Sequence, residues 1–159
     1  MPDGPVAAWP RSSLPAGAKN YLTPDGARRL RDELDQLVQV ERPRQVAWLD
    51  HPEAKGRLQL LDQRIYCLQQ SLQSAIVVAP PIAPEGGVRF GASVTVRDRR
   101  GGESRYRIVG VDETDIDRGW VSWISPIAKA LLNARLGDRV RFKLPSGQEE
   151  LEILSITYE

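Results

Sequence analysis

A run of apolar residues spaced alternately three and four positions apart is the feature that most constrains how this chain can fold. The members of this run, called the seam below, are Leu58, Leu61, Ile65, Leu68 and Leu72. This heptad spacing places all of them on one face of a helix, and such a face requires one partner helix to cover it. We expect the seam helix to continue through Ala75 or Ile76.

The segment before the seam has the features of that partner helix. Thr23 is a suitable N-cap and Pro24 suits the first helical position. An apolar face follows, formed by Leu30, Leu34 and Leu37. The sequence therefore predicts a helix that begins at Pro24.

The connection between the two predicted helices is short. Pro43 interrupts the first helix, so we expect a kink near Val40 and Glu41, after which the helix resumes. Only residues 50–52 lie between the two helical patterns, and a connection of this length makes helices antiparallel neighbours. We therefore predict that residues 20–78 form a helical hairpin, a short antiparallel coiled coil.

The segments on either side of this hairpin differ from it in composition. Residues 1–19 are rich in Pro, Ala, Gly and Ser and carry no apolar period, which is typical of a flexible tail. Residues 79–87 contain three prolines and two glycines, which indicates a semi-rigid linker.

Beyond the linker the apolar period changes to the alternation of β-strands. We expect strands near residues 88–96, 106–110, 120–124, 140–144 and 150–158. Ser125 is a suitable N-cap for a short helix over residues 126–134. Strands with one crossing helix make residues 88–159 a small α+β domain, so the whole chain is predicted to be α+β.

Composition and charge exclude several classes of protein. Cys67 is the only cysteine, which rules out an internal disulfide and a cysteine-cluster zinc site. No apolar run approaches the roughly 20 residues that span a bilayer, and a signal peptide is not evident. We expect a cytoplasmic monomer with no membrane association. Positive and negative residues balance to a net charge of +1, which favours a protein partner over duplex DNA.

Several stretches of the chain resemble the Gre transcript cleavage factors. Residues 124–132 (ISPIAKALL), with Gly137-Asp138 and residues 145–147 (PSG), are similar to the C-terminal Gre domain. Residues 90–92 (FGA) and 106–110 (YRIVG) match that domain's opening strands, in the manner of GreB more than GreA. Residues 22–37 and 41–43 resemble the first helix of the Gre hairpin. The resemblance covers about residues 21–158.

The resemblance implies a fold, a partner and a docking segment. The Gre C-terminal domain is similar in fold to FKBP prolyl isomerases, and it docks on the rim of the secondary channel of bacterial RNA polymerase. Carried over to this chain, the docking residues are Trp123, Ile124, Ser125, Pro126 and Ile127, with Ile124 standing where the family often has an acidic residue. The resemblance also implies an accessory factor, not an enzyme, which contacts nascent RNA within the complex.

The same resemblance assigns a role to the hairpin tip. In the family, tip carboxylates help to hold the second catalytic Mg²⁺ of the polymerase, a cation that prefers oxygen ligands. Asp50 and Glu53 keep the family's carboxylate spacing, so they are the candidate metal residues, and the chain has no cofactor of its own. The alternative is structural: Asp50 as N-cap and Glu53 three residues later would form a capping box, with Pro52 in the first turn. We interpret His51 as an ordinary polar turn residue.

The hairpin is shorter than the family's. By the resemblance each helix lacks about six or seven residues, so the tip reaches about 10 Å less far at 1.5 Å per residue. We therefore expect a regulator that binds the secondary channel without strong stimulation of cleavage. The alternative is a working cleavage-stimulating factor. An independent prolyl isomerase is the weakest candidate, because fold alone does not carry function.

Two tryptophans precede the docking segment. Trp120 and Trp123 are three positions apart, so strict alternation along a strand places them on opposite faces. One is then in the core and the other exposed. We assign the exposed position to Trp123, as an anchor for the polymerase, with core packing an equal alternative.

Overall fold

The computed structural model describes residues 14, 15, 17–81 and 86–158, and the chain divides into two compact units. The helical unit contains Pro24–Ile76 and the described residues before Tyr21. The C-terminal unit contains Val77–Glu159 together with Tyr21–Thr23. Most of the predicted tail, and residues 82–85 of the predicted linker, lie outside the described residues.

The helical unit consists of helices that run in opposite directions. Its elements are α1 (Pro24–Gln36), a π-helical segment (Leu37–Glu41), α2 (Arg42–Ala47) and α3 (Ala54–Ser74). Both α1 and α2 pack along α3. Contacts of side chains from the N-terminal segment meet α3 at positions that move back along it as the chain advances. The pairs are Asn20 with Ser71, Glu33 with Arg64, and Arg42 with Asp62. The first helices and α3 therefore run in opposite directions.

The π-helical segment lies where the sequence predicted an interruption. The N–H of Arg42 donates to the carbonyl of Leu37, five residues earlier. Pro43 follows directly, and in a regular α-helix its ring would collide with the carbonyl four residues before it. A wider turn relieves that collision, so the helix continues into α2 through a π-helical turn.

The seam packs as predicted in its middle. Ile65 and Leu68 are buried, and Leu58, Leu61 and Leu72 are half-buried. The expected continuation of the helix through residues 75 and 76 is wrong. After Ser74 the backbone turns extended and forms strand β2 (Ala75–Val77), which pairs with β1 (Asn20–Leu22).

Two polar residues that flank the seam on α3, Asp62 and Arg64, bridge to the facing helices. Arg64 makes two hydrogen bonds of 2.7 Å to the carboxylate of Glu33. Asp62 accepts a hydrogen bond of 2.8 Å from the Nε of Arg42. The reach of the arginine side chains brings these heptad-flanking residues to the facing helix.

The C-terminal unit is a five-stranded sheet with one short helix, which confirms the mixed α+β class. Its elements are β3 (Ala92–Arg97), β4 (Glu103–Val109), β5 (Trp120–Ser122), α4 (Pro126–Leu131), β6 (Arg139–Leu144) and β7 (Gly147–Tyr158). The strand order is β5-β4-β3-β7-β6, in which only β4 and β5 are parallel. Helix α4 is shorter than predicted, because Leu132 is extended and ends it.

One face of this sheet and helix α4 enclose the core. Ala128 and Leu131 of α4 are fully buried in it. The strands contribute Val94, Val96, Ile108, Leu151 and Ile153. Among the described residues no helix is both long and apolar enough to cross a membrane.

Candidate functional site

The predicted docking segment, residues 123–127, joins strand β5 to helix α4. Its backbone is held by hydrogen bonds from Trp123 N–H to the carbonyl of Val109 (2.9 Å) and from Ser125 N–H to that of Ser122 (3.0 Å). The Ser125 hydroxyl accepts a hydrogen bond from Ala128 N–H at 3.3 Å. Ser125 is therefore the N-cap of α4, as predicted from the sequence.

The side chains of this segment are unequally exposed. Pro126 is exposed, whereas Ile124, Ser125 and Ile127 are half-buried. Ile127 also packs against the core of the C-terminal unit. The segment thus presents Pro126 as its exposed apolar side chain, at the start of a helix anchored by Ala128.

The assignment of Trp123 to an exposed position is wrong. Its ring packs against the core and meets the ring of Tyr21 edge-on, with 5.1 Å between centroids. Its Nε1 is buried and has no hydrogen-bond partner among the described residues. Tyr21 is about a hundred residues away in sequence, so alternation along β5 could not reveal that it covers this side.

Trp120, the other tryptophan, was expected in the core. It is half-buried and lies beside two arginines. The guanidinium carbons of Arg107 and Arg118 lie 5.0 and 5.1 Å from the centroid of its ring. Both distances are within the range of cation–π attraction. Trp120 therefore lies between a buried arginine, Arg107, and an arginine that pairs with Asp115, Arg118.

An exposed isoleucine next to Trp120 was missed by the sequence reasoning. Ile116 is 94% exposed and lies in a short 3₁₀ turn, Ile116–Arg118. The Asp115 carboxylate accepts from Asp117 N–H and fixes the turn. At Gly119, with φ of 75°, a Cβ would approach the carbonyl oxygen of Arg105 to 2.4 Å. The available signal was an isolated apolar residue between two aspartates.

The predicted tip residues lie in the turn between α2 and α3. Asp50 and Glu53 are both exposed. The capping box expected from them is wrong: α3 begins at Ala54, Glu53 occupies the N-cap position, and no side chain caps the helix. The carbonyl of His51 already accepts from Ala54 N–H at 3.1 Å. Glu53 instead accepts a hydrogen bond of 3.1 Å from Arg57.

The tip does not form a complete metal site by itself. Among the described residues no three His, Cys, Asp or Glu side chains are grouped so that they could hold a metal ion. Two exposed carboxylates fit a cation whose other ligands come from a partner, because Mg²⁺ is commonly held by one or two carboxylates plus phosphates. The predicted metal role of Asp50 and Glu53 therefore stays a prediction.

An aromatic pair beside this turn was also missed. The rings of Trp48 and His51 stack with 4.7 Å between centroids and an interplanar angle of 30°. Trp48 ends α2, and the His51 N–H donates to its carbonyl at 3.0 Å. The sequence signal was the presence of both aromatic side chains three residues apart in a turn.

Comparison with known proteins identifies the family. The family model described as the C-terminal domain of the transcription elongation factors GreA/GreB matches residues 83–158. GreB of Neisseria meningitidis serogroup A is 42% identical over 154 aligned positions, covering 88% of this chain and 94% of that protein. GreA of Syntrophotalea carbinolica is 36% identical, covering 86% and 96%.

Solved structures were compared as well. The chain is 23% identical to a GreA/GreB elongation factor from Nitrosomonas europaea, covering 88% of this chain and 100% of that one with a TM-score of 0.43. It is 23% identical to the Gfh1 protein of Thermus thermophilus, covering 87% and 99% with a TM-score of 0.42.

The helical unit and the α+β unit, with residues 83–158 matching the family model, make this a factor of the Gre type. The chain belongs to the GreA/GreB family, which confirms the resemblance seen in the sequence. It is a Gre-type transcription elongation factor, accessory to RNA polymerase.

Proposed function

We propose that this protein binds bacterial RNA polymerase at the secondary channel and regulates elongation without strong stimulation of transcript cleavage. In this proposal the C-terminal unit, interpreted as FKBP-like, docks as a monomer through residues 123–127. The helical hairpin enters the channel and comes close to nascent RNA. Family membership supports the choice of polymerase as partner.

The observation that carries the proposal is the length of the hairpin. The alignment with meningococcal GreB spans 154 positions but covers 88% of the 159 residues, which is about 140, so about 14 positions have no counterpart here. We assign this deficit to the two helices flanking the tip, about two turns from each, or about 10 Å of reach. A Mg²⁺ ligand must lie about 2.1 Å from the ion. A tip held 10 Å away offers no such ligand.

The chemistry of the tip supports the same proposal. The Glu53 carboxylate pairs with Arg57 of its own helix at 3.1 Å, so part of its charge is already compensated. A metal ion would have to compete with this guanidinium. This ion pair is exposed and therefore weak, so it lowers the affinity of Glu53 for a metal ion less than the short hairpin does.

The second candidate function is cleavage stimulation through the same tip. It is favoured by the exposure of both carboxylates and by the absence of any cap hydrogen bond from Glu53. Because the pair between Glu53 and Arg57 is exposed and weak, both carboxylates would remain available to a metal. In this candidate Asp50 and Glu53 would support the catalytic Mg²⁺ of the polymerase.

A transcript-cleavage assay on a backtracked elongation complex separates the two functions. Meningococcal GreB serves as the positive control. We expect the protein to bind the polymerase but to stimulate cleavage weakly, and Asp50→Asn and Glu53→Gln to leave its effect on elongation unchanged. Strong Mg²⁺-dependent cleavage that disappears in both variants would establish the second candidate instead.

The docking segment is tested separately by polymerase affinity. Pro126→Asp places a charge at the exposed first position of α4, where helices tolerate aspartate, so folding should be preserved. We expect affinity for core polymerase to fall at least about 10-fold, as at an interface hot spot. Pro145→Asp, in an exposed turn outside the segment, is the matched control. Equal affinity of both variants and the unmodified protein would refute this docking assignment.

A further inference from the structure

Strand β6 leaves one edge of the five-stranded sheet open. In the order β5-β4-β3-β7-β6 it is the last strand, and among the described residues it pairs with β7 alone. An open edge carries a row of backbone N–H and C=O groups that lack partners within the sheet, and another extended chain can pair with them. With its span of Arg139–Leu144, β6 has the usual length of a paired strand.

The hydrogen bonds around β6 show which of its residues face the open edge. The N–H of Ile153 in β7 donates to the carbonyl of Asp138 at 2.9 Å, and Asp138 directly precedes β6. Along an antiparallel pair, residues that bond to the neighbouring strand alternate with residues that do not. The even-numbered residues of β6 therefore bond to β7. Arg139, Arg141 and Lys143 direct their N–H and C=O groups to the open edge.

One carboxylate beside this edge is shared by three arginines. The side chain of Glu150 on β7 lies 3.1 Å from Arg141, 3.1 Å from Arg99 and 3.9 Å from Arg139. A single negative charge cannot neutralise three guanidinium groups. These arginine side chains are 66–70% exposed, and ion pairs at such positions are weak. The guanidinium groups are therefore available to further carboxylates, whose geometry they match.

The remaining charges of this edge do not remove the positive excess. Glu152 lies 3.8 Å from Arg139, and Lys143 has no ion-pair partner in the part of the chain that the structure describes. Together with the arginines around Glu150, four basic side chains therefore stand against two carboxylates. The open edge of β6 is complementary in charge to an acidic strand.

We propose that the open edge of β6 binds an extended segment of a partner protein in which acidic and apolar residues alternate. The segment adds to the sheet as a further strand, with its acidic side chains beside Arg139, Arg141 and Lys143. Its apolar side chains lie on the other face, beside Val140 and Phe142, which are half-buried against the core. The site is separate from residues 123–127, which follow β5 at the other end of the strand order, so it does not rest on the proposed function.

The unpaired backbone favours a peptide over two other occupants of a basic edge. A nucleic acid supplies phosphate acceptors, but it has no regular row of donors for the outward carbonyl groups of β6. A second copy of β6 would bring two rows of basic side chains together, and like charges on paired strands are destabilising. The basic residues thus oppose pairing between copies and favour pairing with an acidic strand.

The test measures binding of a fluorescently labelled peptide to the full chain by anisotropy at low salt. The peptide is about seven residues long and blocked at both ends, with glutamate and valine in alternation. We expect it to bind saturably. A second peptide, N-methylated at the amides that would face β6, should bind at least about 10-fold more weakly, because it loses several hydrogen bonds at unchanged charge. Equal binding of the two peptides, or no saturable binding of the first, would overturn the proposal.

Amide hydrogen exchange, followed by nuclear magnetic resonance, locates the pairing on β6. When the unmethylated peptide binds, the N–H groups of Arg139, Arg141 and Lys143 should exchange more slowly, because they gain acceptors. The N–H groups of Val140 and Phe142 already bond to β7, so their exchange should slow less. Exchange that slows equally at all five residues, or at none of them, would contradict addition of a strand at this edge.

Charge reversal tests the contribution of the basic side chains. Lys143→Glu should weaken binding of the unmethylated peptide about 5-fold or more, because a like charge replaces an opposite one across the pair. Arg31→Glu also replaces a basic residue with glutamate, at an exposed position of α1, and should leave peptide affinity unchanged. Both variants should keep the circular dichroism spectrum of the unmodified protein. If the two variants bind the peptide equally well, β6 is not the site.

Two further results would assign the edge to another occupant and overturn the proposal. The first is a single-stranded oligonucleotide that displaces the peptide and binds more tightly than it does. The second is a dimer of the unmodified protein in size-exclusion chromatography that Lys143→Glu changes and Arg31→Glu does not. We expect a weaker oligonucleotide and a monomer in all three proteins.

Discussion

At the scale of single residues, the carboxylate of Glu113 orders the buried polar groups of the C-terminal unit. One oxygen accepts from Thr23 N–H at 3.0 Å and from Gly110 N–H at 2.8 Å, and the other accepts from the Thr23 hydroxyl. A Cβ at Gly110 would approach the carbonyl oxygen of Tyr21 to 2.1 Å, so glycine permits this close packing. Hydrogen bonds to a buried charge contribute about 1.5–3 kcal/mol each.

We predict that Glu113→Ala lowers the free energy of unfolding by about 2–4 kcal/mol, because two buried N–H groups lose their acceptor. Glu113→Gln keeps one acceptor oxygen and should cost less. Urea denaturation measures both. Glu149→Ala, at an exposed position, is the control and should change the free energy of unfolding by about 0.5 kcal/mol or less. An equally small effect of Glu113→Ala would contradict the role assigned to this carboxylate.

Glu150 is a second carboxylate with a defined environment. The hydrogen bond from Arg99 holds the pKa of Glu150 below its usual range, and Arg141 adds a smaller effect in the same direction. Because this pKa is lowered in the folded state, the stabilisation from Glu150 is present above the ordinary glutamate pKa. It is lost as the pH falls through the lowered pKa.

We predict that the contribution of Glu150 to the melting temperature depends on pH. The unmodified protein should be more stable than Glu150→Gln near neutral pH, and this difference should shrink below about pH 4, near the ordinary glutamate pKa. Thermal scans of both proteins at several pH values measure it. The control variant Glu149→Gln should show no such narrowing. A constant difference across the acid range would contradict the assigned pKa direction.

At the scale of elements, helix α3 contributes Ala54, Ile65 and Leu68 to the buried core of its unit. Leu68 is 1% exposed, whereas Leu60 on the same helix is 44% exposed. The buried face of α3 also contains a polar residue, Ser71, near the C-terminal end of the helix. The carbonyl of Ser71 accepts a hydrogen bond from the Asn20 side chain at 2.9 Å. The heptad pattern therefore predicts which side chains are buried in the middle of this helix better than at its C-terminal end.

We predict that Leu68→Ala destabilises the helical unit by about 2–5 kcal/mol, the cost of removing a buried leucine side chain and leaving a cavity. Leu60→Ala makes the same chemical change on an exposed face and should cost less than about 1 kcal/mol. Urea denaturation followed by far-ultraviolet circular dichroism, which reports chiefly on helix, measures the difference. Equal costs would mean that Leu68 does not lie in the core of this unit.

At the scale of the whole molecule, the chain crosses between the two units three times. The crossings follow Asn20, Thr23 and Ile76. Residues Tyr21–Thr23 belong to the C-terminal unit although they precede the helices. A fragment that began after the predicted linker would therefore lack a part of that unit, including the ring that covers Trp123.

We predict that limited proteolysis cuts first before Tyr21 and next within residues 79–87. Segments rich in Pro, Gly and small residues open locally at low cost, whereas the packed helices do not. Mass spectrometry of the early fragments locates the cuts. In Leu68→Ala, cutting within α3 should appear earlier than in the unmodified protein. Early cutting inside α3 of the unmodified protein would contradict the stability assigned to the helical unit.

The sequence by itself determined the family of this protein and its principal helices and strands, but not the strands β1 and β2. Heptad spacing, the cap at Ser125 and the alternation beyond the linker are local properties, and local backbone preferences express them directly. The interruption before Pro43 was also predictable, because proline acts on the four residues before it. The motifs of residues 106–110 and 124–132 indicated the Gre family without any structure.

Only the tertiary structure decided which side chains meet across large separations in sequence. Tyr21 covers Trp123, Thr23 donates to Glu113, and Glu33 pairs with Arg64. The two residues of each pair are too far apart in sequence to belong to the same helix or strand, so no local pattern could reveal the contact. At the hairpin tip, too, the local sequence pattern did not reveal which groups form hydrogen bonds. Helix α3 begins at Ala54, whose N–H donates to the carbonyl of His51, and both tip carboxylates are exposed.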